Sequence, residues 1–222
     1  MSTLVLLRHG QSQWNLENRF TGWTDVPLTE RGRADALKTA ETLKDFHFDV
    51  AFTSKLQRAA DTLTIILDHL KQNKIPIVVD AALNERHYGD LQGLNKAETA
   101  AKYGQEQVML WRRSYATPPP NGESIADVAK RVLPFFEKKI LPEVWKGKNV
   151  IVAASGNSLR PILQVLDHLD NEITASMDVG LCTPYIYYYE GEKLLKKEVR
   201  EVPGIVTKGA SQTESRVEEG RV

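Results

Sequence analysis

The chain has 222 residues, 41% hydrophobic and 26% charged, and its 29 basic residues balance its 29 acidic ones. That length and apolar content suit one globular domain with a real core, and zero net charge excludes a broad attraction to nucleic acid or to a membrane surface. One cysteine, Cys182, excludes an internal disulfide framework and suits a reducing compartment, the cytoplasm, while the early start of the first strand leaves no room for a signal peptide.

In chain order, Leu4 to Arg8 reads as a buried strand. The loop from Phe20 to Pro27 leads to Thr29, a good helix N-cap, with Ala34, Leu37, Ala40 and Leu43 at helical spacing behind it. Residues 49–53 read as a second strand ending at Ser54. Leu63, Ile66, Leu67 and Leu70 share one face of a helix from Arg58 to Leu70. Ile75 to Val79 is a short edge strand, because Pro76 removes a ladder donor. From Asn84 to Pro120 polar and aromatic residues crowd together, which reads as an insertion with short helices covering one end of the sheet. Gly122-Glu123-Ser124 opens a helix toward Ile140, and Asn149 to Ala154 is a buried parallel strand by its unbroken apolar character. Ser155 to Ser158 turns that strand into a helix from Leu159 to Leu169, and residues 185–199 form a closing hairpin around Gly191. From Val206 onward the composition predicts a flexible tail. The order predicts an α/β, three-layer fold, with a mostly parallel central sheet and helices on both faces.

Two strand ends carry chemistry: Arg8-His9-Gly10 and Ser155-Gly156-Asn157-Ser158-Leu159-Arg160. Each places a glycine at a strand-to-helix transition, where backbone N–H groups favour an anion. An imidazole beside a permanent cation at such a point is a suitable phosphoryl acceptor. Arg58 approaches the same edge from the helix after the second strand. Glu85, Arg86, His87 and Tyr88 place four functional groups together, and Lys96, Arg112 and Arg113 add cations. Singly, each has a structural reading: the arginine pair as a solvated helix face, Glu85 as a partner of Arg86, Tyr88 as packing. Jointly they suit a small ligand with several negative groups.

The combination resembles the histidine phosphatase superfamily, and within it the cofactor-dependent phosphoglycerate mutases, from about Leu4 to Tyr189. The segments that carry the resemblance are Leu7 to Ser12, Asn15, Phe20 to Trp23, Phe52 to Ser54 with Arg58, Leu83 to Gly93, Trp111 to Tyr115, Pro119 to Ser124 and Gly156 to Arg160. It implies a single mutase-like domain over 1–205, with 84–120 as a cap insertion. His9 would become a phosphohistidine, with Arg8, Arg58 and the N–H groups of Gly156 and Asn157 as its phosphate pocket and Asn15 beside them. Glu85 would be the general acid/base for the substrate hydroxyl. Gln11, Ser12, Thr21, Gly22, Arg86, Tyr88, Lys96, Arg112 and Arg113 would bind substrate. The implied reaction interconverts 3-phosphoglycerate and 2-phosphoglycerate, primed by 2,3-bisphosphoglycerate without a metal, in a homodimer or homotetramer.

One position departs from the pattern. The family carries a second histidine, facing the first across the transferring phosphoryl group, where this chain has Ser155. Losing one transition-state donor costs on the order of 10²–10³ in rate, so the resemblance implies a mutase with impaired turnover. A catalytically silent phosphoglycerate-binding relative and a bisphosphoglycerate phosphatase are the alternatives.

Overall fold

The computed structural model describes residues 1–205; the tail expected at 206–222 lies outside the described residues. Six strands form one sheet: β1 (Ser2–Arg8), β2 (Val50–Thr53), β3 (Ile77–Val79), β4 (Val150–Ala154), β5 (Pro184–Glu190) and β6 (Lys193–Val199). Their order is β3-β2-β4-β1-β5-β6. The first four run parallel; β5 pairs antiparallel with β1, and β6 pairs antiparallel with β5 at the edge.

Helices cover both faces. They are α1 (Gln13–Leu16), α2 (Glu30–Thr42), α3 (Gln57–His69), α4 (Lys96–Tyr103), α5 (Gln105–Arg113), α6 (Ile125–Phe135), α7 (Leu141–Trp145), α8 (Gly156–Leu166) and α9 (Asn171–Ser176). Alternation along the strands decides which side chain meets which layer. Leu4 and Leu6 of β1 and Val150 and Val152 of β4 join Val128, Val132, Leu159 and Leu163 from α6 and α8. Val5, Leu7, Ile151 and Ala153 face Ala36, Ala40, Leu63 and Ile66 from α2 and α3. β4 is buried on both faces, which is why it reads as a continuous apolar run.

The chain therefore leaves β1 toward one face and β4 toward the other. Adjacent parallel strands whose helices diverge open a crevice beyond their carboxyl ends, where open α/β sheets bind ligands. A single helical turn at Ala81–Leu83 leads into the insertion, which covers that end with a second turn at Gly89–Leu91, followed by α4 and α5. Phe20, Leu91 and Val108 form a small satellite core beneath it.

Boundaries differ from expectation where side-chain caps or proline decide them. α8 starts at Gly156, not Leu159, because β4 runs straight into the helix with Ser155 in extended conformation as its N-cap. It ends at Leu166, and His168 then adopts a positive φ of 53°, the left-handed exit that usually calls for glycine. The expected helix toward Ile140 widens into a π turn over Phe136–Ile140, flanked by Pro134 and by Pro142, neither of which can donate a helical hydrogen bond. α9 was not expected; its N-cap is Asp170, whose carboxylate accepts from Ile173 N at 2.7 Å.

Candidate active site

β1 ends by handing Arg8 and His9 to the crevice. His9 N donates to Ala154 O at 3.0 Å, so the imidazole is anchored to the neighbouring strand end. His9 is 2% exposed. Its Nδ1 lies 2.7 Å from the carbonyl oxygen of Gly10, and a carbonyl only accepts, so Nδ1 carries the proton. Nε2 keeps its lone pair and accepts from Arg58 Nε at 3.3 Å. Burial, then Arg58 and Arg8, push the His9 pKa well below its ordinary value of 6.5. The ring is consequently a neutral base with its nucleophilic nitrogen turned toward guanidinium groups.

Arg58, at the start of α3, also donates to Gly22 O at 2.8 Å and Thr24 O at 3.1 Å, fixing the loop that precedes α2. Arg8 donates through Nη1 to Val179 O at 2.9 Å, and its buried Nε has no partner among the described residues. A Cβ on Gly156 would sit 3.3 Å from that Nε, so glycine there gives the guanidinium close access to the start of α8. The first N–H groups of a helix lack intrahelical partners and point at the same place.

Around these groups lies a cavity of about 290 Å³. Of the expected residues, Arg8, His9, Asn15, Thr21, Gly22, Arg58, Glu85, Tyr88, Lys96, Arg112, Arg113, Gly156 and Asn157 line it. Arg8, Arg58, Lys96, Arg112, Arg113 and Arg160 form no ion pair among the described residues, so the wall carries uncompensated positive charge. Burial lowers the pKa values of Lys96 and Arg112. Such a wall calls for a polyanion.

Four expected residues stand off the wall. Gln11 accepts from Thr29 Oγ1 at 3.0 Å and braces the start of α2. Ser12 caps α1, its hydroxyl donating to Asn15 Oδ1 at 3.0 Å. Arg86 is fully buried behind the Tyr88 ring, its Cζ 4.5 Å from the ring centroid, and donates to Arg112 O at 3.3 Å. Ser155 is fully buried, and its hydroxyl has no hydrogen-bond partner among the described residues.

Arg19, Asp178 and Val179 line the cavity without having been expected there, as do Phe20 and Arg160, which lie in the motif segments but carry no expected site role. Arg160 had a legible signal, since it stands one helical turn from Gly156 and Asn157. Its Nη1 donates to Asn157 Oδ1 at 2.6 Å and its Nη2 to Met177 O at 2.7 Å. Asn157 Nδ2 in turn donates to the Tyr88 hydroxyl at 3.3 Å. Burial, then Arg113, brings the Arg160 pKa down to about 10. Asp178 and Arg19 had none; only the folded loops bring them in. Among the described residues, no group of three or more His, Cys, Asp or Glu side chains is placed to hold a metal ion.

Comparison with known proteins agrees with this geometry. The family model for the histidine phosphatase superfamily (branch 1) matches residues 4–201. A 2,3-bisphosphoglycerate-dependent phosphoglycerate mutase 2 from Gloeobacter violaceus is 56% identical over 192 residues, covering 86% of this chain and 88% of that protein. A 2,3-bisphosphoglycerate-dependent phosphoglycerate mutase from Bacteroides fragilis is 44% identical, covering 89% and 91%. Among solved structures, Bacillus stearothermophilus YhfR superposes with a TM-score of 0.77 at 28% identity, covering 93% of this chain and 98% of that one. A mycobacterial glucosyl-3-phosphoglycerate phosphatase does so with a TM-score of 0.72 at 27% identity, covering 89% and 96%.

Proposed function

This chain belongs to the histidine phosphatase superfamily, and from that premise we propose that it is a phosphoglycerate mutase, interconverting 3-phosphoglycerate and 2-phosphoglycerate in glycolysis and gluconeogenesis. The observation that carries the reading is a neutral, buried His9 in a cavity lined by six cations that form no ion pair among the described residues. His9 Nε2 attacks the phosphorus as the bond to the substrate oxygen breaks. Arg8, Arg58 and the N-terminus of α8 neutralise the charge that develops on the phosphoryl oxygens. Glu85, whose Oε1 accepts from Arg86 N at 2.7 Å, moves the proton to and from the substrate hydroxyl. Lys96, Arg112 and Arg113 hold the substrate carboxylate from the insertion side. A phosphohistidine splits one transfer into two easier ones.

The cations from the sheet edge and from the insertion suit the two ends of 2,3-bisphosphoglycerate, and the partnerless Arg8 Nε offers it a donor. That primer supplies a phosphoryl group when bound. We take residues 1–205 as one domain with 84–120 as its cap, and the cytoplasm as its place. Among the described residues no helix is long and apolar enough to cross a membrane. Homodimerisation through β3 is supported by Ile77, Val78 and Val79, all exposed on an edge strand.

Incubation with labelled 2,3-bisphosphoglycerate should leave acid-labile phosphate on His9 and none in His9→Asn. No label after prolonged incubation would overturn retained chemistry. The second reading, phosphoglycerate binding without turnover, draws on the neutral, partnerless Ser155 hydroxyl. It predicts tight binding and no isomerisation in either the parent or Ser155→His.

A further inference from the structure

Residues 84–88 carry Glu85, Arg86 and Tyr88 yet adopt no helix or strand, so no repeating backbone ladder holds them. One guanidinium makes the most contacts to this stretch of backbone instead. Arg131, from the middle of α6, donates through Nη1 to Ala82 O and Asn84 O, both at 2.8 Å, and through Nη2 to Glu85 O at 2.9 Å. Its Nε and Nη2 also grip the Glu123 carboxylate, each at 2.9 Å. Glu123 Oε2 accepts from His87 N at 2.7 Å, closing the far side of the same segment. Trp23 Nε1 donates to Glu85 O at 2.5 Å, and the Arg131 guanidinium lies 5.8 Å from the Trp23 ring centroid. Arg131 is absent from the cavity wall and can reach the chemistry only through the backbone it holds.

We propose that Arg131, oriented by Glu123, is the positioning residue for the Glu85 carboxylate and thereby sets the rate of proton transfer to the substrate hydroxyl. The inference rests on the mutase reading of the pocket. Arginine is needed because its planar fork addresses three carbonyls and a carboxylate at once; lysine offers a single charged point. Misplacing a reacting group by about 1 Å from a remote substitution costs on the order of 10²-fold in rate.

The test is a double-mutant cycle on the full chain between Arg131→Met and Glu85→Gln, read as kcat, with 3-phosphoglycerate binding by calorimetry beside it. Arg131→Met should lower kcat by about 10²-fold while Kd rises far less. In the Glu85→Gln background the same change should add less than threefold. Losses that multiply, or a folded Arg131→Met with parental kcat, overturn the inference and leave the mutase reading standing. A parent without mutase activity, or a Glu85→Gln that turns over normally, overturns the reading and the inference with it. Should Arg131→Met fail to fold, Glu123→Gln, which weakens the two-point grip without removing it, takes its place in the cycle. A smaller loss that vanishes in Glu85→Gln supports the positioning role, and one that persists overturns it.

Discussion

At the scale of single residues, the protonation state of His9 governs both chemistry and stability. Its folded pKa lies well below 6.5. Between those two values the unfolded chain binds a proton that the folded chain does not, so stability rises with pH through that window and falls as pH drops below about 6.5. Denaturant titrations from pH 7 to pH 5 should record the loss, and His9→Gln should flatten it. By the same logic the rate at which His9 takes up a phosphoryl group should hold as pH falls through 6.5, because the ring stays neutral. Ser155→His is expected to raise mutase turnover at least tenfold in a coupled assay, because a charged donor would replace a hydroxyl with no partner. An unchanged rate would acquit Ser155. His9, Arg8 and Arg58 were legible in the chain because each sits at a strand end or helix start that periodicity locates, whereas Glu85, in a segment with no helix or strand, was legible only through the motif around it. Arg86 was not, since a string of letters does not reveal that the guanidinium turns away behind Tyr88.

At the scale of elements, caps and close approaches locate the site. Ser124 caps α6, its hydroxyl accepting from Asp127 N at 3.1 Å and donating to the Asp127 carboxylate at 2.6 Å. Ser124→Ala should cost about 1 kcal/mol, lowering Tm by roughly 2–4 °C in calorimetry. A Cβ on Gly10 would lie 2.4 Å from Gly32 O, so Gly10→Ala must push the start of α2 away from the turn that carries His9. The expected result is a lower Tm together with at least a tenfold loss of turnover. Strong apolar periodicity made β1, β4, α2 and α3 readable to within a few residues. The start of α8 and the π turn escaped, because Ser155 and Pro134 set them through backbone geometry that no hydrophobic pattern encodes.

At the scale of the whole molecule, the fold holds a cationic cavity ready before any ligand arrives. Keeping cations without ion-pair partners close together costs stability, which an anion returns on binding. Saturation at 100 times Kd contributes about 2.7 kcal/mol. Thermal scans should therefore show Tm rising by several degrees with 3-phosphoglycerate, and rising less at high salt where exposed charges are screened. No shift at saturating ligand would count against the cavity as the binding place.

The 29 basic and 29 acidic residues cancel, although the cavity wall is strongly positive. Negative charge must accordingly be in excess elsewhere, giving the molecule a dipole with its positive end at the cavity mouth. A chain near zero net charge hardly migrates in an electric field at neutral pH. Once His9 bears a phosphate or the cavity takes up a phosphoglycerate, the particle acquires a net negative charge. The empty and loaded forms should then run as separate bands in native electrophoresis, so that occupancy can be read from mobility alone.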